Sequence, residues 1–135
     1  MKRLIFSITL SIFLTACAQS GYIKESDPDI SKIQKPTMAE DLSRLWIMER
    51  LKDPYSAQIQ KVAGPKLYGY QYGFKIRKGY VLCYSVNAKN SDGGYTGNKL
   101  YLFQYDGNDR QLVDIQERDD PIGASRIINA CNDIK

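Results

Sequence analysis

The chain has no histidine, only three cysteines and a single tryptophan in 135 residues. Without histidine it lacks the side chain that most often acts as a general base near neutral pH and as a neutral metal ligand. A Ser-His-Asp or Cys-His mechanism is therefore excluded. Also missing is an apolar run long enough to cross a bilayer, which takes ~20 residues. The longest candidate, Leu4 to Leu14, is short and is interrupted by Ser and Thr. No internal repeat or low-complexity tract is visible. What is plentiful is tyrosine, with ten Tyr against four Phe and one Trp, and aromatic rings of this kind favour a pleated, half-buried surface. Hydrophobic residues at 43% and charged residues at 25% belong to a globular chain of one ordinary domain.

The N-terminus reads as a leader. Lys2 and Arg3 give a positive start, the apolar stretch follows, and it ends in Leu14-Thr15-Ala16-Cys17. Those four residues resemble the lipobox of bacterial lipoproteins. The resemblance implies cleavage between Ala16 and Cys17, and a Cys17 thioether to diacylglycerol. The alternative is an ordinary secretory signal with a chance cysteine. Residues 1–16 are thus expected to be a signal peptide, and residues 17–36 the lipidated cysteine and a flexible tether. Residues 37–135 are expected to form a single domain. Acyl chains gain ~0.8 kcal/mol per buried CH₂, so two or three anchor a protein firmly. By analogy with enteric lipoproteins, which are retained in the inner membrane by Asp after the cysteine, Ala18 favours the outer membrane, facing the periplasm, in a Gram-negative host. Loss of Lys2 and Arg3 leaves 17 basic residues against 15 acidic ones. That balance and an envelope location argue against a nucleic-acid partner, which needs a clustered basic footprint.

Outside the cytoplasm, the remaining pair Cys83 and Cys131 is expected to form a disulfide, worth ~4 kcal/mol in the chain-entropy model. Two free thiols are the alternative. The fold expected is α+β: an N-terminal helix, about five antiparallel strands, and a C-terminal helix pinned by the disulfide. Thr37 and Glu40 suggest a T-x-x-E capping box, with Leu42, Leu45 and Trp46 on the apolar face of a helix that ends at Asp53-Pro54. Ser56 to Val62 reads as a strand, Gly64-Pro65 as a turn, and Leu67 to Arg77 as a strongly alternating strand. Lys78-Gly79 reads as the next turn, followed by a strand from Tyr80 to Asn87. Leu100 to Tyr105 and Leu112 to Gln116 flank Asp106-Gly107, a tight-hairpin signal. Asp119 or Asp120 caps a last helix through Pro121, on which Ile127, Ile128 and Cys131 recur at helical spacing.

Carboxylate pairs offer acid–base chemistry without histidine. The candidates are Glu40 with Asp41, Glu49 with Asp53, and Glu117 with Asp119 and Asp120. Each falls on a solvated helix face or at a helix start, where acidic residues serve structure. The DGND segment at 106–109 is a turn rather than a calcium loop. No catalytic residue, metal site or cofactor is expected. The most particular segment is "NAKNSDGGYTGNK", residues 87–99. It leads into a strand and lacks the Gly-Lys-Ser/Thr context of a phosphate cradle. It reads as an elaborate inter-strand turn or a binding loop, with Asn87, Asn90, Gly93, Gly94, Tyr95, Thr96 and Gly97 as candidate binding residues.

"LKDPYSAQ" (51–58) and "CYSVNAKNSDGGYTGNKLYLF" (83–103) together resemble a pattern in small, functionally uncharacterised bacterial secreted proteins and lipoproteins. That pattern runs from D-P-x-S-A to V-N-x-K-N-x-x-G-G-Y-T-G beside a cysteine. Glycine often follows the cysteine there, and an aromatic or hydroxyl residue often stands at position 92; this chain has Tyr84 and Asp92. The resemblance implies membership without an activity. The expected function is a lipid-anchored, non-enzymatic binding or structural module of the cell envelope with a protein or cell-wall partner. The alternatives are an inhibitor of lysozyme-type muralytic enzymes, a carboxylate enzyme on cell-wall sugar, and a structural lipoprotein of a secretion or conjugation apparatus.

Overall fold

A computed structural model describes residues 32–72, 75–107, 111–115 and 120–135. The leader, Cys17 and the tether up to residue 31 lie outside the described residues. The element order is α1 (Ala39–Met48), β1 (Gln58–Tyr72), β2 (Lys75–Asn87), β3 (Lys99–Tyr105), β4 (Gln111–Ile115) and α2 (Pro121–Asp133). The strands form one antiparallel meander in the order β1-β2-β3-β4. The fold is α+β. No helix among the described residues is long and apolar enough to cross a membrane.

The side-chain alternation of β2 sorts the interior into two cores. Val81 and Cys83 join Leu102 of β3 and Ile127, Ala130, Cys131 and Ile134 at the C-terminal helix. Leu82, Tyr84 and Val86 point the other way, to Phe103, Tyr105, and Ala39 and Ile47 of α1. The two helices therefore cover opposite faces of one sheet. Cys83 and Cys131 are joined by a disulfide, with Cα atoms 5.8 Å apart, which fastens α2 to β2.

Among the described residues four strands stand where about five were expected, because Gly64-Pro65 does not reverse the chain. It interrupts a single long β1, whose register against β2 shifts between Lys61 and Ala63 and again between Ala63 and Lys66. Proline is tolerated here because β1 is an edge strand and the site is a bulge. Gly64 has φ +78°, and a Cβ there would run into the Val81 carbonyl oxygen and the Leu82 backbone. The expected turn at Lys78-Gly79 is also straight strand: Gly79 pairs with Tyr68, and Lys78 with Gly69. Gly79 serves close packing, since a Cβ would collide with the Tyr105 carbonyl oxygen. The reversal between β1 and β2 follows the pair Tyr72 and Lys75, so the alternating run from Leu67 to Arg77 is shared by two strands. Asp106-Gly107 begins a longer connection than a two-residue hairpin, since Tyr105 pairs with Gln111.

Helix α1 also departs from expectation. Met38 occupies the cap position and makes no side-chain cap hydrogen bond, so no Thr37–Glu40 capping box forms. The helix stops at Met48, ahead of Asp53-Pro54. Ala39, Ser43 and Ile47 are its buried residues, whereas Leu42 and Leu45 are exposed. Small side chains at 39 and 43 let the helix approach the large rings of the sheet, which fill the space. The Tyr105 hydroxyl donates to the Ala39 carbonyl at 3.0 Å. That leaves Ser43 Oγ to donate to the Tyr105 oxygen at 2.7 Å. Tyr84 donates to the Glu40 carbonyl at 3.1 Å. On the opposite face, Tyr68 donates to Asp133 Oδ2 at 2.7 Å. At α2, Asp120 caps the helix by accepting from Gly123 N–H at 2.9 Å, while Ile128 is partly exposed rather than buried.

Candidate functional site

The segment from 87 to 99 connects β2 to β3, and Asn90 to Asn98 are all exposed. Its shape is nevertheless set by its own side chains. Asn90 Oδ1 accepts from the backbone N–H groups of Asp92 and Gly94, each at 3.0 Å. Asn90 N–H donates to the Gly94 carbonyl at 2.8 Å, and Gly93 N–H to the Asn90 carbonyl at 3.2 Å. Asn87 Oδ1 accepts from Gly97 N–H at 3.1 Å. Thr96 gives both its N–H and its hydroxyl to the Ala88 carbonyl, at 3.1 and 3.2 Å. Gly93 and Gly97 carry φ of +81° and +89° with open space around a hypothetical Cβ. Backbone conformation, not crowding, calls for glycine there.

The second component is the turn after α1. Asp53 Oδ1 accepts from Ser56 N–H at 3.2 Å, and Ser56 Oγ donates to the Asp53 carbonyl at 3.3 Å. Hydrogen bonding from the Ser56 side chain, then from its backbone, holds the Asp53 carboxyl below the usual aspartate range, and the Lys89 ammonium adds to this. This turn projects Tyr55 almost wholly into solvent, with 94% of its surface exposed.

The two segments meet. Tyr95 donates its hydroxyl to the Ser56 carbonyl at 3.0 Å, and Lys52 Nζ donates to Ser91 Oγ at 2.6 Å. Asn87 Nδ2 donates to Gln58 Oε1 at 3.4 Å. Lys89 lies over the Tyr95 ring, 5.5 Å from its centroid, and the two residues also form an isolated antiparallel bridge. One continuous surface results, built from Lys52–Gln58 and Asn87–Lys99. Of the candidate binding residues, Asn87, Asn90, Gly93, Gly94, Thr96 and Gly97 shape the loop, while Tyr95 ties it to the neighbouring turn. Sequence reasoning did not select Lys52, Tyr55 and Ser56 as site residues, and named Asp53 only as a carboxylate beside Glu49. Their signal was the D-P-x-S-A element, which stands about thirty residues away in sequence but adjacent in space.

The carboxylates are dispersed. Glu40 pairs with Lys61 at 2.7 Å, Glu49 with Arg50 at 3.8 Å, and Asp53 and Asp120 hold backbone N–H groups. Glu117 and Asp119 lie outside the described residues. Among the described residues, no group of three His, Cys, Asp or Glu is placed to hold a metal ion. No protein-family model, curated protein or solved structure matches the chain. The two-loop surface therefore has to be interpreted from its own chemistry. It offers two aromatic rings, amide and hydroxyl groups and charges of both signs, on a backbone fixed by short-range hydrogen bonds.

Proposed function

We propose that the chain is a lipid-anchored protein of the bacterial cell envelope, held through Cys17. Its domain acts without catalysis, as a module that binds a protein or cell-wall partner through the two-loop surface. The observation that carries this reading is the order of an exposed surface. Loops that hold their own shape lose little entropy on binding, and tyrosine supplies large contact area at low entropy cost. Tyr55, 94% exposed, and Tyr95, 48% exposed, are the contact residues. The lipobox-like Leu14-Thr15-Ala16-Cys17 supports the anchor, and Ala18 favours the outer membrane in a Gram-negative host.

The test has two arms. Cys17→Ser is expected to move the protein from the membrane fraction to the soluble fraction; unchanged fractionation refutes the anchor. In-cell crosslinking of the tagged wild type is expected to give a discrete adduct that Tyr55→Ala/Tyr95→Ala loses. An adduct of equal yield in that variant refutes the two-loop surface as the contact.

A further inference from the structure

Helix α1 carries a second surface that the fold leaves uncovered. Met38, Leu42 and Leu45 are 58%, 43% and 54% exposed. Their spacing puts them along one stripe of the helix, away from the side that meets the sheet through Ala39, Ser43 and Ile47. Single exposed leucines are ordinary, but here Leu42 and Leu45 of the helix and Met38 at its N-cap face out together, while Ile47 turns inward. Trp46 runs along the edge of the stripe. Its ring stands edge-on to Phe103 and Tyr101, with centroids 5.6 and 6.4 Å away, and the Arg50 guanidinium lies 3.8 Å over it. An indole beside a cation at an apolar border is the arrangement favoured at membrane–water interfaces.

Building on the lipoprotein reading, we propose that this stripe docks the domain on the same bilayer that holds the Cys17 lipid. Helix α1 then lies in the interface with Met38, Leu42 and Leu45 entering it, as amphipathic interfacial helices do. Chain length argues for this occupant. The described chain starts at Lys32, six residues before Met38, and only residues 18–31 separate it from Cys17. Even fully extended, that connection reaches ~50 Å, so the anchor makes the encounter of α1 with lipid effectively intramolecular. Charge gives the lipid type. Lys32 and Lys35 precede the stripe and Arg50 follows it, while Asp41 and Glu49 share its helix or cap. With both signs present, the contact is apolar and needs no anionic headgroup. Its area also disfavours a second copy, since a stable dimer takes ~800 Å² per partner and three partly exposed side chains supply far less.

Trp46 is the sole tryptophan and so reports on the contact. Mature lipidated protein is reconstituted into phosphatidylcholine vesicles whose acyl chains are brominated near the headgroup. Trp46 emission is expected to be quenched relative to unbrominated vesicles, with little change on adding salt. Leu42→Ser/Leu45→Ser, matched to the wild type in vesicle flotation and circular dichroism, is expected to lose the quenching. Absence of quenching in the wild type, or equal quenching in the variant, overturns the docking. Crosslinked dimers seen for the wild type and lost in the variant overturn it in favour of a second copy. Failure of the wild type to float removes the anchor itself, which separates an error in the lipoprotein reading from an error in the docking.

Discussion

Tyrosine shows at the level of single residues why composition hints at a fold without revealing how it is held. Its abundance predicts strands, because rings suit a pleated surface. The hydroxyls do something periodicity does not show: those of Tyr84 and Tyr105 reach the carbonyls of Glu40 and Ala39, and that of Tyr68 reaches Asp133. Sheet and helices are thereby joined by polar contacts at the margins of two apolar cores. Burial raises the proton affinity of these phenols. Tyr84 is pushed up to about 12 by desolvation first and the Glu40 charge second, and Tyr68 and Tyr105 are raised mainly by desolvation. The sign of the effect on stability follows. Below pH ~10, the ordinary tyrosine value, both folded and unfolded chains hold the protons and the stability is complete. Above it the unfolded chain releases protons that the native state retains, so stability falls until the native groups titrate as well. Tyr84 alone contributes a slope of up to about 1.4 kcal/mol per pH unit in that window. Urea unfolding midpoints are expected to be steady up to about pH 9 and to drop steeply by about pH 11. Tyr84→Phe, which cannot titrate, is expected to start lower at neutral pH but to lose less stability over the alkaline range. Equal slopes in the two proteins would show that Tyr84 does not hold its proton in the native state.

Elements were legible where local chemistry was unopposed, as with Asp120 and Pro121 opening α2 and the strands around Cys83 and Leu102. They were misread where a glycine answered to a neighbouring strand rather than to a turn. Gly64 and Gly79 look like punctuation in one dimension, yet each lies where a Cβ would strike backbone across the sheet. The buried face of helix α1 differs for a related reason: Leu42, Leu45 and Trp46 read as its apolar face, but the sheet already supplies bulky rings and takes Ala39, Ser43 and Ile47 against them. The 87–99 loop was recognisable as particular from its Gly and Asn content, whereas its joining to Lys52–Gln58 depends on tertiary contact. Asn90 is the residue on which its shape turns, since one side-chain oxygen receives two backbone donors. In Asn90→Ala those exposed donors turn to water, so global stability should fall by no more than about 1 kcal/mol. Amide exchange at Asp92 and Gly94 is expected to accelerate several-fold while Val81 and Leu102 in the sheet stay protected. Unchanged exchange at Asp92 and Gly94 would mean that the loop is ordered by something other than Asn90.

For the whole molecule, the Cys83–Cys131 bridge connects the two ends of the folding problem. It links a central strand to the last helix across 48 residues of sequence and lies within the core formed by Val81, Leu102, Ile127 and Ala130. A thirteen-residue helix has marginal stability by itself in water, so α2 depends on this seat. A domain of this size has only about 5–15 kcal/mol in total, and closing a loop of this length restricts the unfolded chain by about 4 kcal/mol. The bridge therefore represents a large share of the stability while adding little to the surface at which a partner would act. In a Cys17→Ser background, denatured and unreduced protein is expected to yield no titratable thiol; two alkylated cysteines would refute the bridge in solution. Cys83→Ala/Cys131→Ala should lower the unfolding free energy by about 4 kcal/mol, read from urea unfolding with the slope fitted for each protein, since the unbridged unfolded chain exposes more surface. A loss below about 1 kcal/mol would show that the unbridged unfolded chain already keeps the two segments close. The two-loop surface, lying at the Asn87 end of β2, is expected to keep its Asp92 and Gly94 exchange protection in whatever fraction of that variant remains folded, because none of its hydrogen bonds reaches α2.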